Sequence, residues 1–288
     1  MGMREEKYLL VKTKQLFRGR RRPLSHVNLS SEIDRYAYTN ALSKSSPATK
    51  LFLAISLLLI SVTSPTPVVP IIVFLTSSTL ILYSAKIPYR FYLKLLWYPI
   101  IIIAITCVII ALFFGYQEPL TEINLLGLRW AVFKDGITLG INIFFRVAGG
   151  LSTQFFLVLT TPMTSILLII RKARVPTVLI ETSLLVYRYI FVFIEVMETM
   201  HTAQELRLGY SGWLKKIRST SLLLGNLFIR TLEQGERTFT AMNARGYDGN
   251  IRVLEDLPKP SKTALAGITL FAVTLAVTAY LTMNMGVV

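Results

Sequence analysis

Two arginines stand at corresponding places near the ends of two long predicted helices. Arg207 is followed two residues later by Gly209, and Arg245 lies between Ala244 and Gly246. A guanidinium group presents a planar fork of five N–H donors that suits carboxylates, whereas a lysine ammonium acts as a point charge. The helix dipole also favours a cation in the last turn by roughly 0.3–1 kcal/mol, so simple capping is the plain alternative. Because two consecutive helices share the pattern, we interpret both ends as contacts for acidic grooves on another protein.

Residues suited to catalysis or to metal and cofactor binding are sparse. The single cysteine, Cys107, cannot form an intrachain disulfide and belongs to no Cys-x-x-Cys pair. His26 and His201 lie far apart and have no neighbour at ligand spacing. No Gly-x-x-x-x-Gly-Lys-Ser/Thr motif is present, so the sequence predicts no ATP-binding loop. We therefore expect no catalytic residue, no metal site and no cofactor, in a chain that is not an enzyme.

The composition is that of a membrane protein. Of 288 residues, 53% are apolar and only 16% are charged, against about 25% charged in soluble domains. Lysine and arginine outnumber aspartate and glutamate by 31 to 16. Such an excess can indicate a nucleic-acid binder, but membrane proteins also keep their basic residues on the cytoplasmic side. The long uncharged runs favour the second interpretation, so we expect a lipid bilayer and no nucleic acid as partner.

Apolar runs predict about five transmembrane helices and an all-α polytopic fold, since a helix needs about 20 apolar residues to cross the hydrocarbon core. The third run is the most apolar and has Trp97, Tyr98 and Tyr116 as interfacial anchors. The predicted spans are 48–63, 68–84, 97–116, 136–159 and 264–281. The predicted organisation is a basic cytoplasmic segment (1–45), four spans (46–161), a cytoplasmic or interfacial helical region (162–262) and the last span (263–288).

The distribution of basic residues predicts the orientation. With the N-terminus in the cytoplasm, 28 of the 31 lysines and arginines lie inside, and the segments 117–135 and 282–288 lie outside. Residues 1–45 are polar and basic, so we expect the first span to serve as the insertion signal. The prediction is a multi-pass protein of the cell membrane with a cytoplasmic N-terminus.

The segment 177–200 is ambiguous because it is apolar but contains three charges. Glu181, Arg188 and Glu195 are seven residues apart and so fall on one face of a helix. Each charge at the bilayer centre costs about 2.5–3.5 kcal/mol on insertion scales. A membrane helix could hide these charges against other helices, where they could form a proton relay. We favour a helix at the membrane surface whose charged face is solvated or contacts another subunit.

The region 162–262 predicts three helices, 163–174, 177–208 and 215–244. Pro176 forces the break between the first two, because proline lacks the backbone N–H that a helix interior needs. Gly209 and Gly246 follow the two long helices, and we expect each glycine to adopt the left-handed backbone conformation that closes a helix.

Arg146 lies within the fourth span, where a charged residue is by default a candidate functional site. Pairing with a carboxylate and snorkelling to the interface are equally open alternatives. Gly136 and Gly140 have the small-xxx-small spacing of close helix packing. A self-contained secondary transporter or membrane enzyme, with its site near Arg146, Glu181 and Arg188, is therefore the competing functional hypothesis. A membrane-tethered nucleic-acid binder is a third, for which the sequence has no recognised motif.

Five short segments follow one another along the chain: Ile33-Asp34-Arg35-Tyr36-Ala37-Tyr38, Thr160-Thr161-Pro162, Val175-Pro176, Tyr187-Arg188-Tyr189 and Ala244-Arg245-Gly246. In this order they resemble one family, the transmembrane coupling (T) component of energy-coupling factor ABC transporters, most closely its CbiQ type from cobalt uptake systems. At the first of the two Ala-Arg-Gly signatures of that family, the chain instead has Leu206-Arg207-Leu208-Gly209, where an extra residue separates arginine from glycine.

The resemblance implies a coupling function. In the family, two signature helices dock onto a pair of ATP-binding-cassette ATPase subunits, one arginine per subunit, and pass ATP-driven motion to a separate substrate-binding integral membrane subunit. It implies cobalt as cargo by subtype, with nickel or a vitamin as open alternatives. The implied ATPase contacts are Arg207, Gly209, Ala244, Arg245 and Gly246, with Glu181, Arg188 and Glu195 as a supporting face.

Overall fold

The computed structural model describes residues 25–43, 45–113, 119–125, 128–249 and 258–284, so the basic segment 1–24 lies outside the described residues. Most described residues are helical, as expected of an all-α polytopic membrane protein. A short antiparallel hairpin of β1 (Pro119–Leu125) and β2 (Leu128–Phe133) lies in the segment predicted to be external. The helices are α1 (Ser25–Thr39), α2 (Pro47–Thr63), α3 (Val68–Thr79, continued by a π-helical turn over Leu80–Ser84), α4 (Tyr89–Phe113), α5 (Lys134–Thr160), α6 (Met163–Lys172), α7 (Thr177–Leu206), α8 (Trp213–Ala244) and α9 (Lys262–Asn284).

Prolines define the hairpin of α2 and α3. Pro47 stands at the start of α2, where its missing N–H costs no hydrogen bond. The turn over residues 64–67 contains Pro65 and Pro67, and Pro67 precedes the first residue of α3. Leu57 of α2 and Val73 of α3 are buried together in an apolar cluster that α9 completes through Leu275. The hairpin therefore brings the first two predicted spans into one packed unit with the last span.

α5 contacts α2, α3 and α4 and so lies at the centre of the predicted membrane part. A Cβ on Gly149 would lie 2.8 Å from the Pro70 carbonyl oxygen and 2.9 Å from Ser61 Oγ, so α5 approaches the α2–α3 hairpin closely only because this residue is glycine. Gly140 has a milder constraint, since its Cβ would lie 3.2 Å from the Cys107 carbonyl oxygen. This contact agrees with the expectation that Gly140, which has small-xxx-small spacing with Gly136, serves helix packing.

All five predicted spans are helical over their described residues, and residues 114–116 of the third lie outside the described residues. By length and composition, α4, α5, α7 and α9 could each cross a membrane, while α2 and the α3 segment are shorter apolar helices. α7 is continuous over 30 residues, about 45 Å at 1.5 Å per residue. The position of α7 at the membrane surface stays a prediction.

The chain divides into two compact units. Of the described residues, one unit holds 25–32 and 185–249, which include most of α7 and all of α8. The other holds the described residues within 33–184 and 258–284, which include α2 to α6 and α9.

Candidate functional site

The end of α7 closes with a tight pattern of backbone hydrogen bonds around Arg207. The Arg207 N–H donates to the Gln204 carbonyl at 3.2 Å, and the Leu208 N–H donates to the Glu205 carbonyl at 3.0 Å. The Gly209 N–H then reaches back five residues to the same Gln204 carbonyl at 2.9 Å. Leu208 has a φ of 57°, which is the left-handed conformation. These features describe a Schellman-type helix end.

The end of α8 repeats this pattern around Arg245. The Arg245 N–H donates to the Met242 carbonyl at 3.0 Å, and the Gly246 N–H donates to the Asn243 carbonyl at 3.0 Å. The Tyr247 N–H reaches back five residues to the Met242 carbonyl at 3.1 Å. Gly246 has a φ of 76°. The second end is therefore the same motif with glycine at the left-handed position.

Aligning the two motifs fixes the register that the sequence left open. Arg207 corresponds to Arg245, and Leu208, not Gly209, corresponds to Gly246. The prediction that Gly209 takes the left-handed conformation was wrong: among the described glycines, only Gly246 and Gly249 have a positive φ. Leu206-Arg207-Leu208 thus occupies the place of Ala244-Arg245-Gly246. Aligning the two segments on their arginines, instead of on their glycines, would have found this register from the sequence.

Gly209 has a different structural reason to be glycine. A Cβ there would lie 2.7 Å from Ser219 Oγ and 2.9 Å from the Gln204 carbonyl oxygen. Ser219 Oγ donates to the Gly209 carbonyl at 2.8 Å, which ties the first turns of α8 to the end of α7. The Tyr210 hydroxyl donates to Gln204 Oε1 at 2.7 Å. Burial raises the pKa of Tyr210 above its ordinary value, so the phenol stays protonated and keeps this bond at physiological pH.

Both guanidinium groups are available to a partner. Arg207 and Arg245 are exposed, and within the described part of the chain neither side chain has an ion pair or a hydrogen bond. α8 contains 32 residues, so its ends are about 48 Å apart at 1.5 Å per residue. The two arginines flank this helix along the chain, and two contacts so far apart suit two separate binding surfaces.

A groove of about 780 Å³ runs between α7 and α8. Three arginines, Arg207, Arg230 and Arg237, and one glutamate, Glu233, are among the residues that line it. Arg237 and Glu233, which are spaced i,i+4 on α8, form an exposed ion pair at 3.6 Å. Because basic groups outnumber acidic ones among these residues, the groove favours acidic side chains.

The three residues of the predicted supporting face differ in burial. Glu181 is buried with 5% of its surface exposed, whereas Arg188 and Glu195 are exposed. Glu181 is therefore not solvated, while the role of the three residues as a supporting face stays a prediction. Heptad spacing places residues on one side of a helix, but it does not determine which turns of that helix other helices cover.

Arg146 takes a partner that neither sequence alternative named. Its guanidinium donates to the Ser64 carbonyl at 2.5 Å, in the turn between α2 and α3. Asn142, one turn earlier, donates to the Pro65 carbonyl in the same turn. The two side chains satisfy carbonyl groups that the turn leaves open, which is a structural role in helix packing.

Comparison with known proteins reveals one consistent likeness. The family model described as CbiQ, cobalt transport protein, matches residues 39–257. An uncharacterized protein of Methanocaldococcus jannaschii is 40% identical over 250 residues, which cover 87% of this chain and 93% of the relative. A putative fused cobalt transport protein CbiMQ of Methanocorpusculum labreanum is 35% identical over 225 residues, or 78% of this chain and 38% of that longer protein. The cobalt transport protein CbiQ of Rhodobacter capsulatus is 40% identical over 118 residues, or 41% of this chain and 48% of the relative.

Proposed function

This chain belongs to the CbiQ family of cobalt transport proteins, and from this premise we propose that it is the transmembrane coupling subunit of an energy-coupling factor ABC importer. Two separate ATPase subunits bind the ends of α7 and α8 from the cytoplasm. The chain transmits their ATP-driven motion to a substrate-binding integral membrane subunit. Cobalt is the proposed cargo, the N-terminus is cytoplasmic, and the chain itself hydrolyses no ATP.

The observation that supports this proposal best is the repeated helix end. Arg207 and Arg245 share one backbone motif, have no partner among the described residues, and flank a helix about 48 Å long. Leu206 and Leu208 leave 81% and 71% of their surfaces exposed beside Arg207. An arginine next to exposed apolar surface is typical of the few residues that dominate a protein interface. Two such ends fit two copies of an ATPase that each offer one acidic, partly apolar groove.

The exposed apolar side chains of α8 support an additional partner in the membrane. α8 leaves several large apolar side chains exposed, which a soluble surface would rarely present together. A lipid bilayer or another membrane subunit can cover them. The fused relative, in which this type of chain forms part of a longer cobalt transport protein, supports a partner in the same transporter. These side chains are Trp213, Leu214, Leu224, Phe228, Leu232 and Phe239.

The test of the proposal reverses both charges. We expect the Arg207→Glu, Arg245→Glu double variant to insert normally but to lose co-purification of the ATPase subunits and ATP-dependent cobalt uptake. Truncating one partner of a desolvated charge pair typically costs about 2–5 kcal/mol, and reversal adds repulsion. The matched control is Arg90→Glu with Lys94→Glu, which makes the same change of charge at two exposed residues of α4.

Affinity purification in mild detergent and uptake of radioactive cobalt by cells provide the two measurements. The control variant should retain the ATPase and the uptake at wild-type levels. Retained assembly and uptake in the double arginine variant would refute the proposal. Unlabelled nickel added as a competitor tests the cargo, since a cobalt-selective importer should keep most of its cobalt uptake at equal nickel concentration.

A further inference from the structure

A cluster of buried polar side chains surrounds the corner between α5 and α6. Pro162 ends α5, because it has no N–H to donate and its ψ of 144° turns the chain away. The last carbonyl groups of α5 therefore lack partners from their own helix. Lys50 Nζ donates to the Thr160 carbonyl at 2.8 Å, and Asn40 Nδ2 lies 3.3 Å from the Leu159 carbonyl oxygen. Side chains from α2 and from the residue after α1 thus cap the end of α5.

The position of Lys50 is unusual for a lysine. Only 5% of its surface is exposed, and lysine is almost never fully buried without a partner. In the described part of the chain its ammonium group forms no ion pair, and its hydrogen bond to Thr160 uses one of three donors. The negative end of the α5 dipole favours a cation at this place. The ammonium group is therefore stabilised by the helix end that it caps.

The corner also contains buried polar atoms that still lack a partner. Asn40 Oδ1, Ser46 Oγ and Thr161 Oγ1 are buried without a hydrogen bond among the described residues. All three can accept a hydrogen bond, and Lys50 has two donors left, directly or through an ordered water molecule. Removing the ammonium group would deprive these atoms of its donors and would leave the Thr160 carbonyl with only the longer contact from Asn40 Nδ2, at 3.4 Å. Lys50 thus provides the shorter of the two side-chain hydrogen bonds to the Thr160 carbonyl.

A second contact joins the helices that flank this cluster in sequence. The Tyr38 hydroxyl lies 3.2 Å from Thr164 Oγ1, which joins the end of α1 to the first turn of α6. α6 leads along the chain to α7, at whose end Arg207 stands.

Building on the proposed function, we propose that Lys50 is a positioning residue for energy coupling. It holds the corner between α5 and α6 against the start of α2, so that α6 moves together with the membrane helices α2 and α5. Motion of α7 and α8 is then transmitted along the chain through α6 to the membrane helices, because the angle between α5 and α6 is fixed. Without Lys50 the corner opens, and ATP hydrolysis proceeds without import.

The first experiment measures the corner itself and does not depend on the proposed function. Tyr38→Cys and Thr164→Cys are introduced into a Cys107→Ser background, and the full-length chain in membranes is treated with a short bifunctional thiosulfonate. We expect Lys50→Met to lower the crosslinking yield by roughly half or more, as local opening exposes the segment. Lys94→Met, which removes an exposed ammonium group from α4, should leave the yield unchanged.

The second experiment measures coupling in the assembled transporter in proteoliposomes. We expect Lys50→Met to retain the ATPase subunits and ATP hydrolysis, and to lower cobalt import per ATP hydrolysed by roughly tenfold. Lys50→Arg, which keeps a cation able to donate to the Thr160 carbonyl, should restore most of the import. If the ATPase subunits do not co-purify with the wild-type chain, the proposed function is overturned. The crosslinking experiment still tests the role of Lys50 in that case.

Two results would overturn the inference. One is wild-type crosslinking and wild-type import in Lys50→Met. The other is a parallel loss of chain yield, ATP hydrolysis and import that Lys50→Arg does not relieve, which would assign Lys50 to folding alone.

Discussion

At the scale of single residues, the two arginine-bearing helix ends differ in the residue that follows the arginine. Leu208 and Gly246 occupy the same left-handed position, and a residue with a Cβ loses roughly 1–2 kcal/mol there. The Leu208 side chain is 71% exposed, so burial within the chain does not offset this cost. The first helix end is therefore under more strain than the second, and contact with a partner would be the natural compensation.

Exchanging the residue type at these two positions should move stability in opposite directions. We expect Leu208→Gly to raise the free energy of unfolding by about 0.5–1 kcal/mol, because relief of left-handed strain exceeds the entropy cost of glycine. Gly246→Ala should lower it by about 1 kcal/mol for the converse reason. Thermal unfolding of the detergent-purified protein measures both. A destabilised Leu208→Gly variant would contradict the assignment of Leu208 to the left-handed position.

At the scale of elements, α5 organises the membrane part through small and hydroxyl-bearing residues. Ser77 Oγ and Thr153 Oγ1 are 3.0 Å apart, and the Tyr92 hydroxyl lies 3.0 Å from Ser152 Oγ. Within lipid, helices gain little from the hydrophobic effect when they associate, so close packing and interhelical hydrogen bonds must hold them together. Gly149 lets α5 approach the α2–α3 hairpin closely, since a Cβ there would lie 2.8 Å from the Pro70 carbonyl oxygen.

Two adjacent glycines of α5 provide a matched test of this packing. Gly149→Ala should destabilise the protein by about 1–3 kcal/mol, because the new Cβ overlaps the Pro70 carbonyl oxygen and Ser61 Oγ. Gly150→Ala should be neutral or stabilise by about 0.5 kcal/mol, since a Cβ there meets nothing within 4 Å and alanine favours a helix. Thermal unfolding in detergent compares them. Equal effects at the two positions would contradict the described approach of α5 to the hairpin.

At the scale of the whole molecule, the basic residues and the helix lengths allow different predictions of the membrane topology. The lysine and arginine distribution predicts that the N-terminus and residues 162–262 lie in the cytoplasm. α7, however, is long and apolar enough to cross a bilayer, and a crossing would change the side on which α8 lies. The proposed function requires the ends of both α7 and α8 on the cytoplasmic side, because ATP is hydrolysed there.

Cysteine labelling in intact cells decides between these topologies. In a Cys107→Ser background, we expect a membrane-impermeant maleimide to label the Glu122→Cys variant, in β1, without permeabilisation. The Ser211→Cys variant, between α7 and α8, should react only after the membrane is opened. Labelling of Ser211→Cys in intact cells would show that α7 crosses the membrane and would place the proposed ATPase contacts on the wrong side.

The sequence by itself determined the class of fold, the approximate helices and the two arginines of the candidate site. These properties follow from local chemistry: apolar runs long enough for a bilayer, prolines that break helices, and guanidinium groups at the ends of periodic segments. The comparisons then confirmed the family. The ends of α7 and α8 were predicted to within two residues, because helix closure involves only residues near in sequence.

The tertiary structure decided which residues meet. Leu208 as the left-handed residue, the burial of Glu181 and the pairing of Arg146 with a turn carbonyl all depend on backbone geometry or on distant segments. The same holds for Lys50, which lies 110 positions from the carbonyl that it caps. A periodic pattern shows that a helix has an apolar face, but only packing in three dimensions selects the neighbour that covers it. For this chain, the arginines were evident in the sequence, and the contacts that hold their helices in place were not.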